Sequence, residues 1–323
     1  MGSAKQRPEN SKATYFLGID GGGTQTTAWL ADNRSRILAR VIAGPSNPLK
    51  VGLPPAQRNL IAASRRALRE AGLRRGQKLA ALCAGVAGIG RPPIYREILQ
   101  SLKRGVPAHH YFLTHDAAIA LESALGSSPG VIVIAGTGSI ALGRDKNDHI
   151  LRCGGWGSTF GDSGSGYDIS RKAVSAALAA FDGRAPSTRL GKDICRALNI
   201  RQIADIVTLN LAPGQVAALF PLVCQAARSG DRVAQGLCRE AGNNLAEMAS
   251  FLLLRIGVPP AKRRVICAGG VFKASPEVRR RFNHCVRNVS PDAKIGLIER
   301  HPVEGALSLA MAISKNPKGR HIK

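Results

Sequence analysis

Aromatic side chains make up only 4% of the chain, so its core has to be built from aliphatic residues. No stretch approaches the roughly 18 to 20 consecutive apolar residues of a membrane-spanning helix, and the longest apolar runs are broken by Gly, Arg or Lys. A soluble, cytoplasmic protein with no membrane partner is expected. The seven cysteines (Cys83, Cys153, Cys195, Cys224, Cys238, Cys267, Cys285) contain no CxxC pair and no neighbouring His at metal spacing, which points to reduced thiols rather than disulfides or a zinc site. The opening residues, MGSAKQRPENSKAT, lack the apolar core of a signal peptide, and Gln6 stands where a myristoylation signal needs Ser or Thr. Residues 1–13 are expected to be a disordered lead-in.

Acidic residues are also short: 21 against 46 Lys and Arg, a formal net charge of +25. Such a charge attracts anions at long range. The basic residues are scattered through SRRALREAGLRRGQK, AKRRV, VRRRF and KNPKGRHIK, and no aromatic residues interleave with them. A single-strand binding platform needs that interleaving, so the pattern argues against nucleic acid as the partner.

What the chain does have is length, apolar content and glycine. At 323 residues and 44% hydrophobic it suits two ordinary domains. Residues 14–19 and 27–31 are rich in β-formers and flank a glycine turn, and a further strand follows at about 36–43. PPAQRNLIAASRRALREAGL has helical apolar spacing and a Gly stop. HHYFLTHDAAIALESAL predicts a short strand with Asp116 at the mouth of an Ala-rich helix. PGVIVIAGTGSIALGR then repeats the opening strand–glycine turn–strand pattern, and HPVEGALSLAMAISK predicts a Pro-started final helix. Two related α/β lobes are expected.

Three turns, GIDGGGTQT, IAGTGS and ICAGGVF, each follow an apolar strand. Glycine there permits positive φ and close approach of backbone N–H groups, which together with Thr hydroxyls suit phosphate oxygens. None has P-loop spacing, and the first returns into a strand rather than opening a helix, unlike a dinucleotide-binding fingerprint. Asp20 in the first turn could orient a metal ion or merely tighten its own hairpin. Asp116 could be a general base or only a helix cap. Asn47 in GPSNP could bind a hydroxylated ligand or shape a Pro-bounded turn, and Trp156 in GGWG could be core.

Taken with THDAAIA and CGGWGSTFGDSGSGYDIS, these turns resemble the N-acetylglucosamine kinase branch of the sugar kinase, Hsp70 and actin superfamily, the BadF/BadG/BcrA/BcrD ATPase family. The resemblance runs from residue 14 to the last helix. It implies an actin-like ATPase fold of class α/β: two ribonuclease H-like lobes, residues 14–121 with the returning helix at about 303–315, and residues 122–302, with an interdomain cleft for ATP and sugar. It implies ATP and Mg²⁺ as cofactors, with Gly21, Gly22, Gly23, Thr24, Gly136, Thr137 and Gly138 on the phosphates and Gly269 and Gly270 on adenosine. Asp20 would reach Mg²⁺ through water, Asp116 would be the general base, and Asn47, Asp116, Gly154, Gly155, Trp156 and Asp162 would hold the sugar.

The implied reaction is phosphorylation of the 6-hydroxyl of a small-molecule amino sugar, N-acetylglucosamine first, with glucosamine and N-acetylmuramic acid as neighbours; a homodimer is compatible with it. Two departures matter. Ser163 replaces the Glu of the family's GDEGSG, which removes a charge beside the sugar. Ile134 and Ala135 stand where the dehydratase-activating members carry a cluster-binding Cys, which argues against that branch. A rival of another class is a non-catalytic nucleotide-binding regulator that uses its basic surface to hold an anionic polymer.

Overall fold

A computed structural model describes residues 14–74 and 76–316; the expected lead-in, 1–13, lies outside the described residues. The described chain divides into two compact units, one holding residues 14–126 together with 300–316, the other running from Ser127 to Glu299. The first break falls just past a helix that ends at Leu125, a few residues beyond the expected 121, because a cut at 121 would split that helix.

The first unit is built on five strands, β1 (Tyr15–Gly21), β2 (Thr26–Asp32), β3 (Ile37–Ala43), β4 (Leu79–Val86) and β5 (Ala108–Thr114). Their spatial order is β3-β2-β1-β4-β5. The β1–β2 and β2–β3 pairs are antiparallel, and β4 and β5 add in parallel. Helices α1 (Pro48–Val51), α2 (Leu53–Glu70), α3 (Pro92–Gly105) and α4 (Asp116–Leu125) make the connections.

Alternation along β1 decides which helix each residue meets. Leu17 and Ile19 join the core under α2 and α3 with Leu60, Ile98 and Leu102. Phe16 faces the opposite layer with Ile119 of α4 and Leu307 and Ala310 of the chain's last helix, Pro302–Lys315. That helix lies directly on β1 at Gly18, where a Cβ would stand 2.7 Å from the backbone nitrogen of Leu307; any side chain there would push the helix off the sheet.

The second unit repeats the plan with β6 (Gly130–Ala135), β7 (Ser139–Arg144), β8 (Ile150–Gly154), β9 (Arg264–Ala268) and β10 (Lys294–Leu297), in the order β10-β9-β6-β7-β8. Again the hairpin partners are antiparallel and the crossover strands parallel. The repeat seen in the glycine turns is therefore a repeat of topology, and each unit has a ribonuclease H-like sheet.

Its helices are α5 (Gly166–Phe181), α6 (Leu190–Leu198), α7 (Pro213–Ala217), α8 (Phe220–Arg228), α9 (Arg232–Arg255), α10 (Gly270–Ala274) and α11 (Pro276–Val289), and the last helix of the chain is α12. A largely aliphatic core joins Val131, Val133 and Val265 of the sheet to Leu245 and Leu252 of α9 and Phe282 of α11. All seven cysteines are free thiols, and burial pushes those of Cys224 and Cys267 up to about 12. Among the described residues no helix is long and apolar enough to cross a membrane.

Candidate active site

Parallel pairing puts the ends of β1, β4 and β5 side by side, with Asp20 opposite Gly85 and Gly85 opposite Thr114. Asp116, two residues past Thr114, is the first residue of α4. Both acids thus sit at the C-terminal edge of one sheet, where ligands of open α/β sheets bind. His115, not Asp116, occupies the N-cap position and caps with no side-chain bond. The Asp116 carboxylate instead accepts from the N–H of Ala117 at 2.9 Å, an arrangement favoured by the unpaired amides and dipole of a helix start. Burial raises its pKa, against the opposing pull of that N–H and of His115.

Asp20 has no such compensation. Its carboxylate makes no hydrogen bond or ion pair among the described residues, and burial first, then the charge of Asp116, lifts its pKa to about 7. Nothing supports the reading in which Asp20 braces its own hairpin. An uncompensated carboxylate of this kind attracts a cation. The described residues gather no cluster of three or more potential metal-ligating side chains; a single free carboxylate is a donor set that a magnesium ion accepts, since that ion keeps several waters and takes one or two carboxylates plus substrate phosphates.

The turn after Asp20 is closed by the Gly22 N–H donating to Gln25 O at 2.9 Å. Gly21, Gly22 and Gly23 do not use the positive φ that glycine permits. They are needed for space. A Cβ on Gly21 would meet Ser46 Oγ at 2.5 Å, and one on Gly23 would meet Lys50 Nζ at 2.8 Å. The Gly22 carbonyl accepts from both Ser46 N (3.0 Å) and Asn47 N (3.1 Å), so the turn carries the Asn47 segment with it.

Asn47 caps α1, its Oδ1 accepting from Leu49 N at 2.9 Å. The plainer reading of Asn47 as a turn-former is therefore correct for its oxygen; its Nδ2 has no partner among the described residues. The N–H groups of Gly23 and Thr24 and the Thr24 hydroxyl are likewise unbonded. Thr26, by contrast, is buried and spends its hydroxyl on Gly44 O and Ser46 Oγ.

The second unit repeats this plumbing. Gly136 N donates to Gly138 O, the carbonyls of Gly136 and Thr137 accept from Gly166 N (2.7 Å) and Tyr167 N (3.3 Å), and the N–H groups of Thr137 and Gly138 stay free. A Cβ on Gly138 would stand 2.7 Å from Asp162 Oδ2, and Ser139 Oγ donates to Ser163 O at 2.8 Å. In each unit a glycine turn is thus locked to the segment predicted to touch sugar. Asp162 itself has φ 60°. Burial, the largest influence, and the charge of Asp168 raise its pKa, against N–H donors from Ser139 and Gly157.

Gly154 and Gly155 both have positive φ, and their carbonyls accept from Arg152 Nε at 2.9 Å and Nη2 at 2.6 Å. Trp156 is 70% exposed with the Arg152 guanidinium 4.4 Å from its ring, so it is not core. Gly269 follows β9 at φ 97° and abuts the Ala135 carbonyl, and Gly270 is exposed at the start of α10. Sequence reasoning missed Ser46, Lys50 and Ser139. Only the long-range approach of their segment to the first glycine turn gives Ser46 and Lys50 away, and Ser139, the last residue of IAGTGS, is marked only by its bond to Ser163 O.

A sequence model of the BadF/BadG/BcrA/BcrD ATPase family matches residues 17–310. The chain belongs to that family. Among its relatives is an N-acetylmuramic acid/N-acetylglucosamine kinase of Clostridium acetobutylicum, 31% identical over 92% of this chain and 98% of the relative. An N-acetyl-D-glucosamine kinase of Dictyostelium discoideum is 26% identical over 93% and 98% of the two chains. Among solved structures, a Chromobacterium violaceum protein described as an N-acetylglucosamine kinase matches with a TM-score of 0.76 and 26% identity, covering 92% of this chain and 99% of the other. Family membership extends across both ribonuclease H-like sheets and both glycine turns.

Proposed function

We propose that this protein is an ATP-dependent amino-sugar kinase that transfers the γ-phosphoryl group of ATP to the 6-hydroxyl of N-acetylglucosamine, with Asp116 as general base. Family membership and relatives named as kinases of amino sugars over nearly their whole length support the reaction class. The observation that carries the finer reading is the Asp20–Asp116 pair: two acids at one sheet edge, one half-buried at a helix start and the other without a partner.

Phosphoryl transfer needs held phosphates, offset charge and a base at the acceptor oxygen. The free N–H groups of Gly23, Thr24, Thr137 and Gly138 and the Thr24 hydroxyl would take phosphate oxygens. Lys50, whose ammonium lies against Gly23, adds positive charge there. Gly269 and Gly270 would approach adenosine. Asp20 would hold magnesium through water; when bound, that ion offsets the charge of the phosphates. Asn47 Nδ2, Asp162 and Trp156 would orient the sugar.

Asp116 then takes the proton of the 6-hydroxyl as its oxygen attacks the γ-phosphorus and the bond to the β,γ-bridging oxygen breaks, releasing ADP. A carboxylate with a raised pKa is a stronger proton acceptor than an ordinary one, which suits this role. The test is sugar-dependent ADP release over glucose, glucosamine, N-acetylglucosamine and N-acetylmuramic acid, with proton–phosphorus correlation of the product. Phosphorus coupled to the C6 protons of an amino sugar is expected. Coupling at C1, or ADP release indifferent to every sugar, would overturn the reading.

A further inference from the structure

The second unit holds a cavity of about 360 Å³ between the segment after β8 and one face of α9, lined by Trp156, Phe160, Asp162, Asn244, Glu247 and Phe251 among others. Three features set it apart from the rest of the molecule. The chain has only fourteen aromatic residues, 8 Phe, 4 Tyr and 2 Trp, yet three line this cavity, with Trp156 70%, Phe160 89% and Phe251 44% exposed. Trp156 and Phe251 each carry a guanidinium on the ring and Phe160 carries none; clustered exposed rings in a concave site suit a ligand with an apolar face, such as the C–H face of a sugar ring.

The second feature is charge. In a chain of net charge +25, this cavity is lined by two carboxylates, Asp162 and Glu247, and by no Lys, Arg or His. Two guanidiniums stack on its lining rings and keep their charge: Arg152 on Trp156, where it also donates to the Gly154 and Gly155 carbonyls, and Arg255 on Phe251 at 4.8 Å; neither lines the cavity, so a group inside it meets the carboxylates directly. The third feature is free hydrogen-bonding capacity. Asn244 and Glu247 stand three residues apart on α9, hence on neighbouring positions of one face, and neither side chain has a partner among the described residues. The Glu247 charge reaches the Cys153 thiol, whose pKa burial and that charge together raise.

We propose that Asn244 and Glu247 form a charge-selective wall of the sugar site, one that admits neutral or cationic amino sugars such as N-acetylglucosamine and glucosamine and refuses those bearing a carboxylate, such as N-acetylmuramic acid. This rests on the kinase reading above. Asn244 supplies one donor group and one acceptor for an acetamido or hydroxyl substituent. Glu247 accepts from hydroxyl or ammonium groups and repels a lactyl carboxylate.

The test compares kcat/KM for glucosamine, N-acetylglucosamine and N-acetylmuramic acid in the wild type, Glu247→Gln, Glu247→Lys and Asn244→Ala, with the KM for ATP as internal control. The wild type should favour N-acetylglucosamine over N-acetylmuramic acid at least tenfold. Glu247→Gln should shrink that ratio several-fold and Glu247→Lys by about tenfold or more, as one like-charge contact near a protein surface implies. Asn244→Ala should lower kcat/KM for N-acetylglucosamine with the ATP value unmoved.

A wild type that uses N-acetylmuramic acid as well as N-acetylglucosamine, or Glu247 variants whose ratio stays within twofold, would overturn the inference while leaving the kinase reading intact. Sugar titrations that follow Trp156 fluorescence in a Trp29→Phe background give a readout independent of turnover. A fluorescence change with neutral sugars and none with the acid is expected. Silence with every sugar would overturn the placement of the sugar in this cavity, whereas absence of any sugar-dependent ADP release would instead overturn the kinase reading.

Discussion

The charge of Asp116 reaches Asp20 across the C-terminal edge of the first sheet and, added to burial, holds the Asp20 carboxyl half-protonated near pH 7. A folded pKa above the unfolded value of 3.8 means that the native state binds more protons than the unfolded chain between those values. Stability is therefore lost as pH rises from about 4 to about 7 and stays lost above it. Asp20→Asn should remove this cost, raising the melting temperature of the ligand-free protein by a few degrees at pH 8 and leaving it unchanged at pH 4. Equal melting temperatures of the two proteins at pH 8 would contradict the strained-carboxylate account.

The same proton must leave when a cation occupies Asp20. Binding of Mg·ATP should release a fraction of a proton near pH 7, and affinity should weaken as pH falls through 7. Calorimetry in two buffers of different ionisation enthalpy reads the proton count directly. Asp20→Asn should bind Mg·ATP more weakly and without this proton release.

Lys50 lies against Gly23 with no acidic partner among the described residues. Lys50→Ala should raise the KM for ATP about fivefold, the loss of one solvent-screened charge contact of about 1 kcal/mol, with the KM for sugar nearly constant. The wild-type KM for ATP should also rise with salt, and less so in the variant.

Gly138 and Asp162 are in contact. Gly138→Ala should displace the Asp162 carboxylate and raise the KM for sugar or lower kcat by at least tenfold. The melting temperature should change little, because the turn lies outside the core.

Much of this was legible in the sequence because the signals are local. An apolar strand, a glycine turn and a returning strand occur twice, at residues 15–32 and 130–144, and the repeat alone gives two similar lobes. Asp116 was visible because a strand and an Ala-rich helix meet at it. What was not legible depends on contacts between distant segments. Nothing in GGGT says that its glycines serve close packing against Ser46 and Lys50 rather than positive φ.

Thr26 resembles Thr24 in sequence, yet it is buried against Ser46, twenty residues on. Asn47 looks like either a cap or a ligand group, and its two side-chain atoms divide the roles, since Oδ1 caps α1 while Nδ2 stays free. Trp156 could have been core by residue type; only the fold places it at the surface under Arg152. Glu247 and Asn244 carry no motif, and their meaning comes from the face of α9 they share with the cavity.

The central claim is that Asp116 accepts the sugar proton. Asp116→Asn keeps the size and the bond to Ala117 N–H but cannot take a proton, and kcat for sugar-dependent ADP release should fall by about 10²–10⁴ while ATP affinity stays within a few-fold. An Asp116→Asn enzyme that still phosphorylates N-acetylglucosamine at near the wild-type rate would contradict the account.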